Sequence, residues 1–561
     1  MNKLKIPVGR SGFADIRENG YYYIDKSGLI EELLKTDATQ VTLITRPRRF
    51  GKTLAMNMLR EFFDIQKDSR GLFAGLAISK NQELCSCWQN QYPTLFLSFR
   101  SVDALNFSGA YGMLAAAVAE LYEEHFYLLE SDKLTSVKKD FFYRIAAQKG
   151  TLEDLKGSLK ALTQMLAAHY GRPVILLLDE YDVPLAKASE KGYYPEMLDV
   201  LKGIMQVIKD NNSLKFAVIT GCLRIAKESI FTGTNNFVSD TISDTRLNEY
   251  FGFTQAEVDQ LLRDTALEKH GPGMKAWYDG YRFGGFDIYC PWDVMNHVNK
   301  LLLDSRAQPA SYWKNSSDNA IIRSFLDIAG DTITQDFETL LSGRHIIREI
   351  KEDLTYDYLH SSEDNLWSIL YFTGYLTRAR DAAEAEQSLP PRCVALTIPN
   401  AEIQEIFEDT IKTWFADRAK GMDRKALFSA IWGGNAQKAT EEITRLLRKT
   451  ISYHDYREDF YHAFFAGIFA GAGYNVESNR EHGEGRSDIV VKDYSGDRAA
   501  IFEVKYSKEQ NDLEEDCKKA LLQMDKRKYA AELEDDYAQI ICYGISFFKK
   551  RCLLRLEERE V

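Results

Sequence analysis

Val41-Thr42-Leu43-Ile44-Thr45-Arg46-Pro47-Arg48-Arg49-Phe50-Gly51-Lys52-Thr53 begins with a run of strand character, passes through a short basic loop, and ends where an amphipathic helix starts near Leu54. A phosphate cradle needs this order of strand, loop and helix start. Backbone N–H groups at a helix N-terminus wrap the phosphates, a lysine reaches the β and γ oxygens, and the hydroxyl beside it holds magnesium. Gly51, Lys52 and Thr53 fit those roles. The first glycine of the common G-x-x-x-x-G-K-S/T pattern is replaced by Arg46, and Pro47, Arg48, Arg49 and Phe50 fill a loop that is usually small and flexible. Taken alone, Gly-Lys-Thr fits a basic turn before a surface helix equally well.

A second run shifts the balance. Val174-Ile175-Leu176-Leu177-Leu178-Asp179-Glu180 reads as a buried strand closing on two carboxylates, the first placed near magnesium and the second able to polarise a water for attack on a γ-phosphate. An apolar run before Asp-Glu is a common strand end, and its order after the loop is what makes it a site. The distance from Lys52 to Asp179 calls for a substantial insertion. A third run, Phe216-Ala217-Val218-Ile219-Thr220-Gly221, puts Thr220 where a polar group senses a γ-phosphate, with Arg224 beyond it as a stabiliser of transition-state charge. For Arg224 the competing reading is a surface arginine that caps a helix or pairs with an acid. The strand candidates Val41–Thr45, Thr94–Phe99, Val174–Leu178 and Leu214–Thr220, separated by amphipathic stretches, indicate a mainly parallel α/β sheet with ligands at the strands' carboxyl ends.

The chain has 561 residues, 45% of them hydrophobic and 12% aromatic, enough for several packed domains and unlike a disordered or collagenous composition. The net charge of −12 excludes a global basic field, so nucleic acid must be met by a local groove. Eight cysteines over this length form no disulfide framework, and Cys85 and Cys87 lack a second pair for zinc. No apolar run is long enough for a signal peptide core or a bilayer span, which points to the cytoplasm and to no membrane partner. Helical periodicity dominates from 251 to 450, read as a helical lid and linker. The Phe251-Gly252-Phe253-Thr254 and Trp277-Tyr278-Asp279-Gly280-Tyr281 motifs are read as aromatic packing, and Tyr312-Trp313-Lys314-Asn315-Ser316-Ser317 has no assigned role.

A second α/β unit follows from 451 to 561. Gly485 to Val491 and Arg498 to Tyr506 read as a hairpin around Asp493 to Asp497. Strand alternation sets Glu503 and Lys505 on one face and Phe502 and Val504 on the other, and Asp488 can reach the same edge across the hairpin. Two carboxylates and a lysine suit metal-dependent phosphodiester cleavage, with oxygen ligands for magnesium and a lysine to orient or deprotonate the attacking water. The bland alternative is a solvated hairpin with a cross-strand salt bridge. Around the trio stand Glu458, Tyr461 and His462 upstream, Arg480, Glu481 and Arg486 in and near the turn, and Gln523, Lys528 and Tyr529 downstream.

With these residues in view the chain resembles two known families. Tyr22-Tyr23-Ile24-Asp25-Lys26-Ser27, the loop Arg46 to Thr53, Leu178-Asp179-Glu180-Tyr181-Asp182, Thr220-Gly221 with Arg224, and the motifs from Phe251 to Tyr281 resemble the bacterial AAA-ATPase-like proteins of the P-loop class, over roughly the first 300 residues. In that family the arginine-rich loop is the usual form, so Arg46 counts as a match. The resemblance implies binding and hydrolysis of ATP with Mg2+, cofactor contacts from Arg46 through Thr53 and from Asp179, Thr220 and Arg224, metal ligation by Thr53 and Asp179, and a catalytic Glu180. Residues from about 455 to 545 resemble the PD-(D/E)XK nuclease superfamily, in the branch found behind AAA-ATPase-like domains. Asp488, Glu503 and Lys505 match its triad, Glu458 the acid of its first helix and Gln523 a later glutamine, while Ser487 stands in place of the proline. That resemblance implies catalytic Asp488, Glu503, Lys505 and Glu458, with Asp488 and Glu503 as metal ligands.

The expected fold is therefore α/β throughout: an AAA-like P-loop NTPase domain over 1–250, a helical lid and linker over 251–450, and a small restriction-endonuclease-like domain over 451–561. The expected function is ATP binding and hydrolysis coupled to metal-dependent cleavage of nucleic acid, DNA in the first instance. Its groove candidates are Arg480 and Arg486, Lys526 to Lys528, and Lys549 to Arg551, each also readable as a solvated face. The alternatives are a signalling-type NTPase switch whose nuclease-like domain only binds, and an ATPase motor without cleavage. Assembly into a homo-oligomer stays open.

Overall fold

The computed structural model of this chain describes residues 4–35, 40–224, 230–231, 237–313, 322, 336–337, 339–352, 354, 363–380, 389–420, 425–450, 458–470, 472–482, 485–527, 533–534, 536–549 and 551–556. Lys227, Lys314 to Ser317, Lys528, Tyr529 and Lys550 lie outside them, as do the side chains of Glu458, His462, Arg480, Glu481, Arg486 and Asp488. The chain divides into two compact units, one built from Met1–Trp313 and Ile347–Glu402, the other from Lys314–Ile346 and Ile403–Val561.

In the first unit β1 (Val41–Thr45), β2 (Thr94–Ser98), β3 (Val174–Asp179), β4 (Leu214–Gly221) and β5 (Phe237–Asp240) form one parallel sheet in the order β2-β3-β4-β1-β5. β1 and β3 are buried at every position, and β2 and β4 at most, because both faces of the sheet are covered. Val41, Leu43, Leu95, Leu97, Leu176, Leu178 and Ile219 enter one core, and the alternate residues Ile44, Ile175, Leu177 and Val218 enter the other. The insertion demanded by the sequence is a helical crossover from β2 to β3, with helices Phe107–Glu123, Ser136–Ala146 and Leu152–Tyr170. Each starts at a side-chain cap, from Asn106, Thr135 and Thr151 respectively, and the last stops at left-handed Gly171.

Beyond the sheet, Thr254 and Glu257 form a capping box that opens the helix Gln255–Thr265. Lys26, from the Tyr22 to Ser27 motif, pairs with that same Glu257 at 2.6 Å. The stretch 251–450 holds the expected helices, among them Pro291–Leu303, Glu363–Thr373 and Ala401–Lys420. It also holds short strands: a hairpin of β6 (Tyr281–Phe283) and β7 (Phe286–Ile288), and a small sheet of β8 (Ile346–Glu349), β9 (Thr377–Arg378) and β10 (Cys393–Thr397) in the order β8-β10-β9. Runs of two to five residues carry too few alternations to stand out against helical periodicity.

The second unit is built on β11 (Asn475–His482), β12 (Gly485–Asp493), β13 (Arg498–Tyr506), β14 (Gln539–Phe548) and β15 (Arg551–Leu556), paired in chain order. Only β13 and β14 are parallel, and the helix Leu513–Arg527 makes the crossover between them. The expected β12–β13 hairpin turns where predicted: Asp493 accepts hydrogen bonds from Gly496 N and Ser495 Oγ and pairs with Arg498 at 2.9 Å, while Asp497 takes a left-handed φ of 51°. The helix Ala436–Thr450 packs along β15, where Thr440 Oγ1 accepts the Leu554 N–H and Thr444 Oγ1 the Cys552 N–H.

Candidate functional site

The parallel sheet ends its strands on one rim, and the candidate residues of the first unit collect there. β1 runs out through Thr45, and Gly51, at a left-handed φ of 84°, turns the loop into the helix Lys52–Phe63. An L side chain is strained at that φ even though the space beside Gly51 is open. Lys52 is buried, and its Nζ donates to the carbonyl oxygens of Arg46 and Pro47, both at 2.8 Å, and lies 3.6 Å from Cys222 Sγ. The helix therefore begins with an ammonium curled into the loop that a phosphate would occupy.

Asp179 is fully buried at the end of β3 and gathers hydroxyls from three strands or helices. Thr53 Oγ1 donates to its Oδ2 at 2.9 Å, Thr220 Oγ1 to its Oδ1 at 2.6 Å, and Ser98 Oγ to Oδ2 at 3.4 Å. Thr220, expected to face a γ-phosphate, thus has its hydroxyl on Asp179, and it accepts the Glu180 N–H at 3.4 Å. Glu180 itself holds a left-handed φ of 53°, a conformation that costs about 1 kcal/mol or more for a non-glycine residue and marks a position held by its surroundings. Burial raises the Glu180 carboxyl above its ordinary range. Lys52 opposes the shift, Asp179 adds to it, Arg100 opposes it and Asp182 adds to it. Gly221 has no room for a side chain, since a Cβ there would lie 2.7 Å from the Tyr181 ring.

The arginines of the loop part company. Arg46 is buried with its guanidinium turned into the fold, donating to the carbonyls of Thr45, Asp240 and Arg246 and to Asn248 Oδ1, with the Phe251 ring 5.3 Å away. Burial pulls its pKa down to about 10, with Asp240 the leading opposing charge. Its side chain braces the loop and leaves the backbone to face a ligand. Arg48 is exposed. Arg49, at a φ of 72°, lies between Trp292 and Trp313 at 5.4 and 5.5 Å. Phe50 is buried against Tyr281 and Phe283, at 4.9 and 5.0 Å, and Pro47 is buried beside Gly374. Phe251 and Tyr281 are thus the packing residues that their motifs suggested. Arg224 pairs loosely with Glu352 at 3.8 Å. Sequence reasoning missed Ser98 and Arg100 at the end of β2, Cys222, and Asp182, whose Oδ2 accepts the N–H groups of Cys222 and Leu223. The Asp182 carboxylate was legible in the Leu178 to Asp182 motif, whereas nothing about Ser98 distinguishes it from any strand-end serine.

In the second unit Glu503 is fully buried on β13, with Lys505 Nζ 3.2 Å from its Oε1, as alternation requires. The β12–β13 ladder runs from Asp493 opposite Arg498 to Ile489 opposite Phe502, ending one residue short of Asp488 and Glu503. Glu458 is the first residue of the helix Glu458–Ala470, and Tyr461 of that helix is buried against Phe547 and donates to the Lys549 carbonyl. Gln523 lies on the crossover helix Leu513–Arg527. Among the described residues no group of three or more histidine, cysteine, aspartate and glutamate side chains is gathered as a metal site.

A parallel sheet with a lysine-bearing loop after β1 and an acid pair after β3 is the frame of a P-loop NTPase, and a five-stranded sheet carrying Glu-x-Lys on β13 is that of a restriction-endonuclease-like domain. Residues 7–231 match the family model described as "Predicted AAA-ATPase", AAA-ATPase-like, and residues 456–557 match that of the PD-(D/E)XK nuclease superfamily. The chain therefore carries an AAA-ATPase-like domain followed by a PD-(D/E)XK nuclease superfamily domain. It is also 24% identical over 506 residues to the "Uncharacterized protein in vnfD 5'region" of Azotobacter chroococcum mcd 1, covering 88% of this chain and 87% of that protein. No helix among the described residues is long and apolar enough to cross a membrane.

Proposed function

We propose that this protein binds and hydrolyses ATP with Mg2+ and uses its second unit for metal-dependent cleavage of nucleic acid, DNA in the first instance. The observation that carries the reading is the 2.9 Å contact between Thr53 Oγ1 and Asp179 Oδ2, with Lys52 in the loop and Glu180 next in the chain. Two hard oxygen donors at this spacing fit magnesium, which bound there would offset charge on the β and γ phosphates. Lys52 would exchange its two loop carbonyls for phosphate oxygens. The N–H groups of the loop and helix start would hold those oxygens in place. Glu180, its carboxyl raised by burial, would orient a water and take its proton, Thr220 would hold Asp179 in place, and Arg100 or Arg224 would stabilise the developing charge.

In the second unit Glu503 and Asp488 would hold a divalent ion, which supplies Lewis-acid stabilisation of the phosphodiester. A buried carboxylate beside an ammonium fits that donor set, and Lys505 would orient the attacking water, with Glu458 supporting the site. The deciding experiment is a cleavage and ATPase assay on linear, circular and single-stranded DNA and on RNA, with Mg2+ or Mn2+. Asp488→Ala and Lys505→Ala should abolish cutting and leave ATP hydrolysis in place, while Lys52→Ala and Glu180→Gln should lower hydrolysis by about 100-fold or more. Cutting that survives Asp488→Ala would sink the nuclease half, and hydrolysis that survives Lys52→Ala would sink the ATPase half. A wild-type protein that hydrolyses ATP and cuts nothing would favour the nucleotide-controlled binding switch.

A further inference from the structure

Two acids lie buried in the first unit with no part in the chemistry above. Asp293, on the helix Pro291–Leu303, and Glu402, on the helix Ala401–Lys420, are both fully buried. Glu402 Oε1 accepts the backbone N–H groups of both Tyr312 and Trp313. Among the described residues no N–H group is placed on either oxygen of Asp293 or on Oε2 of Glu402, and the Asp293 carboxyl lies within reach of the Cys290 thiol and of the Glu402 carboxyl. Two anions buried side by side repel, and burial raises both carboxyls above their ordinary values.

Arg49, from the middle of the loop after β1, is a cation whose charge bears on Asp293, and it meets the segment that Glu402 holds. Its guanidinium lies between the rings of Trp292 and Trp313 and donates to the Tyr312 carbonyl at 3.4 Å, while Cys290 Sγ lies 4.0 Å from the Arg49 carbonyl. The Arg49 backbone is left-handed, at a φ of 72°, and its side chain lies against these two rings. Trp313 and Glu402 are also the residues at which the chain leaves the first unit, once on each passage.

We infer that Asp293 and Glu402 are positioning residues of the nucleotide site, acting through Arg49 to hold the centre of the phosphate loop and the Tyr312-Trp313 segment as one body, so that a ligand in the loop is felt where the chain leaves the unit. This rests on the nucleotide-binding reading above. It assigns a role to Tyr312-Trp313, a motif which the sequence leaves without one.

The test uses the full chain, the non-hydrolysable analogue AMP-PNP with magnesium, calorimetry for binding, and hydrogen exchange read on the peptide that contains Tyr312 and Trp313. Wild type should show slower exchange there on binding. Glu402→Ala should remove that response and weaken the analogue by about fivefold or more. Glu402→Gln, whose amide oxygen accepts the same two N–H groups, should restore both. Arg49→Met removes the link at a half-buried position and leaves both carboxyl side chains in place, so it reports even if Glu402→Ala does not fold, and it too should lose the response. A merely structural pair would lower the melting temperature and leave the nucleotide-dependent exchange unchanged. That result, or binding heat in wild type with no change at 312–313, overturns the inference. Absence of any binding heat in wild type brings down the nucleotide reading and the relay with it, and calorimetry reports that case separately.

Discussion

Glu402 shows how one side chain can tie stability to pH. Burial raises its carboxyl above the ordinary value of 4.5, the Asp293 charge adds to the rise, and the N–H groups of Trp313 and Tyr312 oppose it. Above the ordinary carboxylate range the native state thus holds a proton that the unfolded chain has lost. Its stabilising effect is full below pH 4.5 and is lost as pH rises through the raised value. The slope is at most about 1.4 kcal/mol per pH unit for one proton. Glu402→Gln, which cannot ionise, should show a shallower fall in melting temperature between neutral and alkaline pH than wild type. Equal slopes in scanning calorimetry would show that Glu402 is already ionised at neutral pH. Arg46 teaches the complementary lesson: an arginine in a basic loop need not face outward, because carbonyls of Asp240 and Arg246, remote in sequence, claim its N–H groups first.

At the scale of elements, the strand ends and helix starts were legible and the edges were not. β1, β3 and β4 stood out as long apolar runs because a parallel sheet is buried on both faces, and Gly51-Lys52-Thr53 and Asp179 came with them. β11 and β15 are harder to read, since polar and charged residues interrupt them. β15 is an outer strand whose outward N–H groups at Cys552 and Leu554 are met by Thr444 and Thr440, one turn apart on the helix Ala436–Thr450. That helix lies N-terminal to the matched 456–557 segment, yet it shields the edge of its sheet. Replacing both threonines by valine keeps the volume and strands two donors. The expected cost is about 1–3 kcal/mol for each, read as a lower denaturant midpoint, and an unchanged midpoint would mean that water serves these N–H groups equally well.

At the scale of the whole molecule, the chain passes from the first unit to the second, returns for Ile347–Glu402, and crosses again. The second unit therefore includes an early piece of chain: Phe337 is buried and its ring lies 5.6 Å from that of Phe407, while Gln404 donates to the Leu341 carbonyl. A fragment of residues 403–561 lacks this piece. It should melt on the order of 10 °C below the corresponding transition of the full chain, as expected for losing a buried aromatic contact from a unit of this size. Coincident melting would mean that Lys314–Ile346 adds nothing to the unit.

Read alone, the sequence determined the motif order, the parallel sheet with its basic loop after β1, and the alternation that puts Glu503 beside Lys505. Those features depend on neighbours within one strand or turn. Only the tertiary structure decided that Arg46 faces inward, that Ser98 and Thr220 join Thr53 on Asp179, and that Glu402 secures Tyr312 and Trp313 beside Arg49. Each of those contacts joins residues from separate elements, and no local periodicity records which distant carbonyl or carboxylate a buried polar group will find.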